Sequence, residues 1–140
     1  MILLDTTVLL YAVGEDHRLR APARRVIQGV GAGRLAATTT PEVIQEFTHV
    51  RARRRSRSDA VGLARDLTTL LTPLTPVTAD DLRSGLDLFE RQSGLDSFDA
   101  VLAAVARRVA GPVVSADTAL LDALGDDAVD LGGQALNAWC

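Results

Sequence analysis

Four acidic residues occupy positions from which a parallel sheet could bring them together. Asp5 directly follows the apolar run ILL, and Asp117 follows PVVSA, so both carboxylates come at the ends of buried strands. Glu46 and Asp99 lie between them in EVIQEF and SFDAVLAA, which have helical spacing. Four converging carboxylates repel one another unless a cation neutralises them. Oxygen ligands select Mg²⁺ or Mn²⁺, and such a site is suited to activating water against a phosphodiester.

The choice of Glu46 over Glu42 rests on helical geometry. At about 100° per residue, Glu46 lies roughly 90° from the centre of the apolar face and Glu42 about 130°. That face is formed by Val43, Ile44, Phe47 and Val50. Glu46 is therefore expected at the core boundary, and Glu42 is interpreted as the solvated acid of a capping box over residues 39–42.

Each acid also has a structural explanation when it is taken alone. Asp5 could be a turn residue, and Asp99 in a first helical turn could compensate the helix dipole, worth about 0.3–1 kcal/mol. Asp96 or Ser97 is the expected N-cap of the same helix. The order and the structural context of the four acids together favour a functional site.

The basic residues exclude several enzyme classes. All 15 are arginine, and the 140-residue chain contains no lysine. P-loop enzymes, Schiff-base enzymes and receiver domains are therefore excluded, since each needs a lysine. The net charge of −3 gives the chain as a whole no attraction for nucleic acid.

Zinc sites and a serine hydrolase site are excluded because the additional residues that they require are lacking. His17 and His49 lack the spacing of zinc ligands, and Ser115 has no plausible histidine partner for a serine hydrolase. A single cysteine, Cys140, allows no internal disulfide and suits a reducing cytoplasm. No apolar segment is long enough to span a membrane, and no signal peptide is predicted.

Apolar periodicity and breaker residues predict an alternation of strands and helices. The predicted strands are 2–5, 35–38, a minimal one centred on Val77, 112–115 and 129–131. The predicted helices are 8–13, 21–30, about 40–54, 58–71, 80–92, 98–109 and 118–124, with Leu82, Leu86 and Phe89 on one face of the fifth. This alternation predicts an α/β fold with a parallel sheet covered on both faces, in a single domain over residues 1–140. Ligands of such sheets bind at the carboxyl ends of the strands.

The segment LLDTTVLLYA resembles the opening of PIN domains, and so does the order of Asp5, Glu46, Asp99 and Asp117 in their motifs. At this length the chain resembles the VapC toxins of bacterial toxin–antitoxin modules. The resemblance spans nearly the whole chain and is least diagnostic over residues 51–92.

The resemblance implies an α/β/α sandwich with four or five parallel strands and a Mg²⁺- or Mn²⁺-dependent endoribonuclease. Its site acids would be Asp5, Glu46, Asp99 and Asp117, with Asp5 and Asp99 as the direct metal ligands. Thr6 and Ser115 match family positions beside the acids and would orient a carboxylate or the water. Thr7 stands where asparagine or serine is more usual, and it retains a hydroxyl.

The implied partners are an RNA substrate (tRNA, rRNA or mRNA), a VapB-type antitoxin and a second copy of the chain. Apolar residues of the early helices, including Leu9, Leu10 and Tyr11, are candidates for a groove that takes an antitoxin helix.

The segment RARRRSRS places five arginines at a helix end: Arg51, Arg53, Arg54, Arg55 and Arg57. They are interpreted either as a solvated helix end, where cations suit the dipole, or as a phosphate-binding patch for RNA. The small number of aromatic residues argues against a base-stacking RNA-binding module.

Two other functions are weighed against the ribonuclease. A PIN-fold module that binds antitoxin or RNA without cleaving is disfavoured because all four acids are present. A metal-dependent phosphatase acting on small substrates is disfavoured by the lack of lysine and of a nucleotide-binding loop.

Overall fold

A parallel four-stranded sheet forms the centre of the protein. The computed structural model describes residues 1–139, and the single cysteine, Cys140, lies outside the described residues. The strands are β1 (Ile2–Leu4), β2 (Ala37–Thr38), β3 (Val113–Ser115) and β4 (Ala128–Asp130). Their order is β2-β1-β3-β4, with Leu3 paired to Thr38 on one side and to Val113 on the other. The predicted parallel sheet is confirmed, with four strands.

Seven α-helices flank the sheet within residues 1–139. They are α1 (Thr6–Val13), α2 (Arg20–Gly31), α3 (Pro41–Arg54), α4 (Arg57–Leu71), α5 (Ala79–Arg91), α6 (Ser97–Val109) and α7 (Thr118–Leu124). Short 3₁₀ turns occupy Gly125–Asp127 and Gln134–Ala138. None of the helices in this part of the chain combines the length and the apolarity that a bilayer crossing requires.

The core is built on the strands and on one face of each long helix. Leu3, Leu4, Val113 and Val114 are fully buried in the sheet, and Phe47 of α3 is the largest fully buried side chain. Strands buried on both faces read as continuous apolar runs, which is the pattern of ILL and PVV. The core thus holds the ends of β1 and β3 next to each other.

Several boundaries differ from the predictions for local reasons. β1 ends at Leu4, and Asp5 is the N-cap of α1, so this helix begins two residues earlier than predicted. Val77 forms no strand in the structure; Pro73 and Pro76 lie just before it and have no N–H groups for a ladder.

The predicted capping box at the start of α3 is wrong. Thr40 is the N-cap and accepts a hydrogen bond from the Val43 N–H, so the Glu42 side chain is not at the N3 position. The Thr39 hydroxyl instead donates to the Leu4 carbonyl at 2.7 Å, and this bond fixes the start of α3 to the end of β1.

Helix α5 turns its apolar stripe away from the core. Leu82, Leu86 and Phe89 are 47%, 49% and 45% exposed, while Leu88 is buried and Gly85 lies against α6. A Cβ at Gly85 would lie 2.7 Å from the Val101 Cγ2 and 2.8 Å from its Cα. Only glycine therefore allows the two helices to approach this closely.

Gly85→Ala is expected to destabilise the protein by about 1–3 kcal/mol, because the new methyl group overlaps the backbone of α6. Gly62→Ala is the matched control: Gly62 lies in α4 with open space around its Cα. That change should stabilise the helix by up to about 1 kcal/mol. Urea unfolding of both variants gives the comparison, and equal midpoints would contradict the close approach.

Candidate active site

The carboxylate of Asp5 is held between two segments of the chain. It is 2% exposed; Oδ1 accepts from the Thr6 N–H at 2.7 Å, and Oδ2 accepts from the hydroxyls of Ser115 at 2.7 Å and Thr7 at 2.8 Å. Burial raises the pKa of Asp5, and these hydrogen bonds, led by that from Ser115, oppose the rise. The side chain is therefore fixed in position at the carboxyl end of β1.

Ser115 and Thr7 connect Asp5 to Asp117. The Ser115 hydroxyl also accepts from the Asp117 N–H at 2.9 Å, and the Thr7 hydroxyl accepts from the Ala116 N–H at 3.0 Å. Asp117 is half-buried and caps α7 by accepting from the Leu120 N–H. β1 and β3 are neighbours where the strand order reverses, so Asp5 and Asp117 lie at a topological switch point of the sheet.

Glu46 reaches this edge from α3. It is half-buried, and its Oε2 accepts from the Thr6 hydroxyl at 2.9 Å, so the supporting position predicted for Thr6 is occupied. Burial raises the pKa of Glu46, the Thr6 hydrogen bond opposes this, and the charges of Asp96 and Asp5 add to the rise. Glu42 is exposed, as the helical angles predicted.

Asp99 lies in the first turn of α6 and is 8% exposed. Its pKa is raised to about 8, first by burial and then by the negative charges of four neighbours. Those neighbours are Asp5, Asp96, Asp117 and Glu46. The four predicted acids therefore lie within electrostatic range of one another, although they come from four different elements.

Asp96 is a fifth carboxylate at this edge. It is the N-cap of α6, as predicted, and its Oδ1 accepts from the Asp99 N–H at 2.8 Å. It is exposed, and its charge contributes to the raised pKa values of both Asp99 and Glu46. The sequence predicted that Asp96 could cap α6, but it did not predict that the charge of Asp96 raises the pKa values of Asp99 and Glu46.

Thr7 was noted in the sequence as a departure from the family pattern that retains a hydroxyl, but it was not named as a site residue. Its hydroxyl donates to Asp5 and accepts from the main chain after β3, two contacts that depend on the tertiary structure. The only signal in the sequence is a hydroxyl residue two positions after the strand-end aspartate.

The donor set fits a hard divalent cation. The converging groups are carboxylates with no histidine or thiol among them, which favours Mg²⁺ or Mn²⁺ over zinc. Across residues 1–139, no three acidic, histidine or cysteine side chains already form a group that could enclose an ion. Both Asp5 oxygens are engaged by protein donors, so a cation would share this carboxylate with Thr6, Thr7 and Ser115.

The arginine run divides into two groups. Arg51 donates to both oxygens of Asp59, at 2.6 and 3.3 Å, and to the Val13 carbonyl, while Arg55 pairs with Glu15 at 3.4 Å. The structure thus uses Arg51 to join α3 to α1 and α4. Three others are exposed and make no ion pair within the described residues: Arg53, Arg54 and Arg57. At 1.5 Å per residue, Arg53 lies about 10 Å along α3 from Glu46, outside the acidic site.

Comparison with known proteins identifies relatives of this chain. The PIN domain family model matches residues 2–125. Ribonuclease VapC7 of Mycobacterium tuberculosis is 52% identical over 124 residues, 87% of this chain and 86% of the relative. Ribonuclease VapC23 of the same organism is 36% identical over 110 residues, 77% of this chain and 85% of the relative.

Two solved structures share the fold. M. tuberculosis VapC20, described as a sarcin–ricin loop cleaving toxin, matches with a TM-score of 0.73 at 19% identity over 88% of this chain and 95% of its own. A chain of FitAB bound to a DNA fragment matches with a TM-score of 0.73 at 14% identity over 95% and 96%. The predicted PIN-like α/β/α fold is confirmed. The assignment of all 140 residues to one domain stays a prediction.

The raised pKa of Asp99 predicts how stability depends on pH without metal. Between its ordinary value of 3.8 and about 8, the folded protein keeps a proton that the unfolded chain releases. The free energy of unfolding should therefore fall as pH rises through this range, by at most about 1.4 kcal/mol per pH unit from this group. Asp99→Asn should flatten the fall, while Asp87→Asn on the exposed face of α5 should not.

The measurement is urea unfolding in EDTA at several values between pH 5 and 8. A wild-type stability that rises over this range would contradict the assignment. Mg²⁺ should also bind more tightly as pH rises, because it displaces the proton.

Proposed function

Because the chain belongs to the PIN-domain family, and within it to the VapC ribonucleases, we propose that it is a Mg²⁺-dependent endoribonuclease toxin neutralised by a VapB-type antitoxin. Its enzyme class is that of an RNA-cleaving VapC toxin, as predicted. One observation supports the metal-dependent mechanism: the buried Asp5 carboxylate at the end of β1 accepts from Ser115 of β3, while the adjacent Thr6 holds Glu46 at the same edge.

In the proposed site, Asp5 and Asp99 hold the cation, and Glu46 and Asp117 hold its waters or a second ion. When bound, Mg²⁺ neutralises charge on the phosphate and lowers the pKa of water. The other steps belong to side chains of the chain. Thr6 donates to Glu46 and so orients its carboxylate, which in the proposed step accepts a proton from the attacking water. The water oxygen forms a new bond to phosphorus, the bond from phosphorus to the leaving ribose oxygen breaks, and that oxygen takes up a proton from solvent.

The site acids are tested by a matched pair on one helix. Glu46→Gln should lower the rate of RNA cleavage by roughly 10²-fold or more, and Asp5→Asn should do the same, because each removes a charge that the cation needs. Glu42→Gln removes an exposed acid one turn before Glu46 and should cleave at the wild-type rate. Cleavage of a fluorescence-quenched RNA over a Mg²⁺ titration gives the rates, and circular dichroism checks folding.

Two results would contradict the site: wild-type cleavage by Asp5→Asn, or equal losses in Glu42→Gln and Glu46→Gln.

The toxin role is tested in cells. Expression of the chain alone should arrest growth, and co-expression of its neighbouring antitoxin gene should relieve the arrest. This activity on RNA would place the protein in the cytoplasm.

We propose that a second copy covers the exposed stripe of α5. The stripe of Leu82, Leu86 and Phe89 lies beside the 59% exposed Phe98 and a groove of about 470 Å³ between α5, α6 and the start of α3. Exposed apolar patches of this kind mark interaction surfaces.

Charge along α5 supports a two-fold pairing. Arg83 and Glu90 are seven residues apart and therefore lie on the same flank of the stripe. In an antiparallel pair of α5 helices centred near Leu86, Arg83 of each copy would face Glu90 of the other. A self-complementary patch is what a two-fold interface requires.

A charge swap tests this pairing. Arg83→Glu should weaken the dimer at least about tenfold by placing like charges opposite each other, and adding Glu90→Arg should restore it. Leu86→Glu should give a monomer, whereas Val61→Glu, at a 39% exposed position of α4, should not. Light scattering after size exclusion, over a range of concentrations, measures the mass. A monomeric wild-type chain, or a swap that restores nothing, would contradict the proposed interface.

A further inference from the structure

A second concave site lies at the far ends of the helices that carry Thr6 and Glu46. It is a cavity of about 480 Å³ between the C-terminal ends of α1 and α3, closed by the segment 14–17. Its walls include Tyr11, His17 and Arg54. Ligand-binding clefts typically have about this volume, from roughly 300 to 1,000 Å³.

The hydrogen-bond donors of this cavity are not all engaged. Arg51 is paired with Asp59 and Arg55 with Glu15, which leaves Arg54 without an ion pair or side-chain hydrogen bond inside residues 1–139. The Nδ1 of His17 accepts from the Leu19 N–H at 3.1 Å. In a neutral ring the other nitrogen, Nε2, then carries the hydrogen and is a donor. Arg54 and His17 can therefore both donate to an anion, while of the two acids that also line the cavity, Glu15 and Asp16, Glu15 is paired with Arg55.

The same histidine offers a stacking surface. Its ring stacks on Tyr11 with a centroid distance of 4.7 Å and an interplanar angle of 26°. Tyr11 covers one face of the ring; the other, termed the open face, belongs to an exposed residue that lines the cavity. Every nucleobase can stack on such a ring whatever its sequence.

The cavity lies at a distance that an RNA strand from the acidic site could cover. Tyr11 is six residues after Asp5, or about 9 Å at 1.5 Å per residue, and Arg54 is eight after Glu46, or about 12 Å. The Arg51 hydrogen bond to the Val13 carbonyl holds the two helix ends together. A strand of a few nucleotides can therefore contact both places.

We propose that this cavity binds one nucleotide of the RNA substrate, with its base on the open face of His17 and its phosphate on Arg54. The inference rests on the proposed ribonuclease function and adds a place where the strand is held outside the cleavage site. An antitoxin helix is the less suitable occupant, because that mode needs spaced apolar anchors. Leu9 is fully buried, and charged side chains form most of the walls beside Leu10 and Tyr11.

The test measures RNA binding by the full chain carrying Asp5→Asn, so that the strand is not cut. The probe is a fluorescently labelled single-stranded RNA of mixed sequence, titrated by anisotropy at several salt concentrations. The cavity variants are Arg54→Gln and His17→Ala. Their matched controls are Arg65→Gln on the exposed face of α4 and His49→Ala on the exposed face of α3.

The two cavity variants should behave differently from each other. Arg54→Gln should reduce the slope of log Kd against log salt by about 0.7, the effect of one lost phosphate contact on a single strand. His17→Ala should raise Kd roughly tenfold at every salt concentration with the slope unchanged, because a lost stacking contact removes no charge. His17→Phe should recover most of this affinity, and both controls should match the parent protein.

The outcomes separate this site from the nuclease function. If wild-type chain cleaves RNA with Mg²⁺ while Arg54→Gln and His17→Ala bind RNA as their controls do, the nucleotide site is wrong and the ribonuclease stands. If these variants lose affinity for the antitoxin and not for RNA, the cavity belongs to the protein partner and the inference fails. A wild-type chain that cleaves no RNA would overturn the proposed function itself.

Discussion

The hydrogen bonds around the Asp5 carboxylate determine how the central strands and the first helix meet. Burying a carboxylate is costly, and three donors offset that cost here, from Thr6, Thr7 and Ser115. Hydrogen bonds to charged groups contribute about 1.5–3 kcal/mol each, so the set offsets part of the desolvation, which still raises the pKa of Asp5. One acid thus ends β1, caps α1 and joins both to β3.

The other acids depend on this junction. Ser115 and Thr7 hold the chain after β3, and Asp117 lies two residues beyond Ser115. Thr6 is the first residue of α1, and its hydroxyl donates to Glu46, which fixes the orientation of that side chain on α3. Asp99 is added by α6, whose N-cap Asp96 brings its own charge. The site is therefore assembled from four elements, and the contacts that position Glu46 and Asp117 begin at the strand end that carries Asp5.

Much of this arrangement could be predicted because it depends on local patterns. Asp5 and Asp117 follow apolar runs, and the angle between Glu46 and the buried face of α3 is a property of any helix. The contacts of Thr7 could not be predicted, since they join segments more than one hundred residues apart. The apolar stripe of α5 could be predicted, but its exposure could not. An amphipathic pattern does not say whether the apolar face packs against the same chain or against another one. The ribonuclease activity and the antitoxin partner were inferred from the resemblance to PIN domains, because the residues alone do not indicate them.

The arginine run shows why composition alone is a poor guide to function. Its first member, Arg51, joins three helices through Asp59 and Val13, so this residue is an ion-paired contact between helices and not a solvated helix end. Arg54, three residues later, lies on a nearby side of α3 but beyond these partners, where it faces the cavity of Tyr11 and His17. Arginines that are three residues apart on one helix thus make different contacts, because they point in different directions around the helix axis and meet different neighbours.

Proton uptake explains how four carboxylates can converge before a cation is present. With a pKa of about 8, Asp99 is mostly neutral at pH 7, and burial raises the pKa values of Asp5 and Glu46 in the same direction. A retained proton removes one charge from the cluster and lowers the repulsion that would otherwise oppose folding. In the proposed metal-bound state, a cation would replace that proton and would neutralise the same cluster of charges. The raised pKa of Asp99 and the proposed metal site are therefore two responses to the same repulsion between carboxylates.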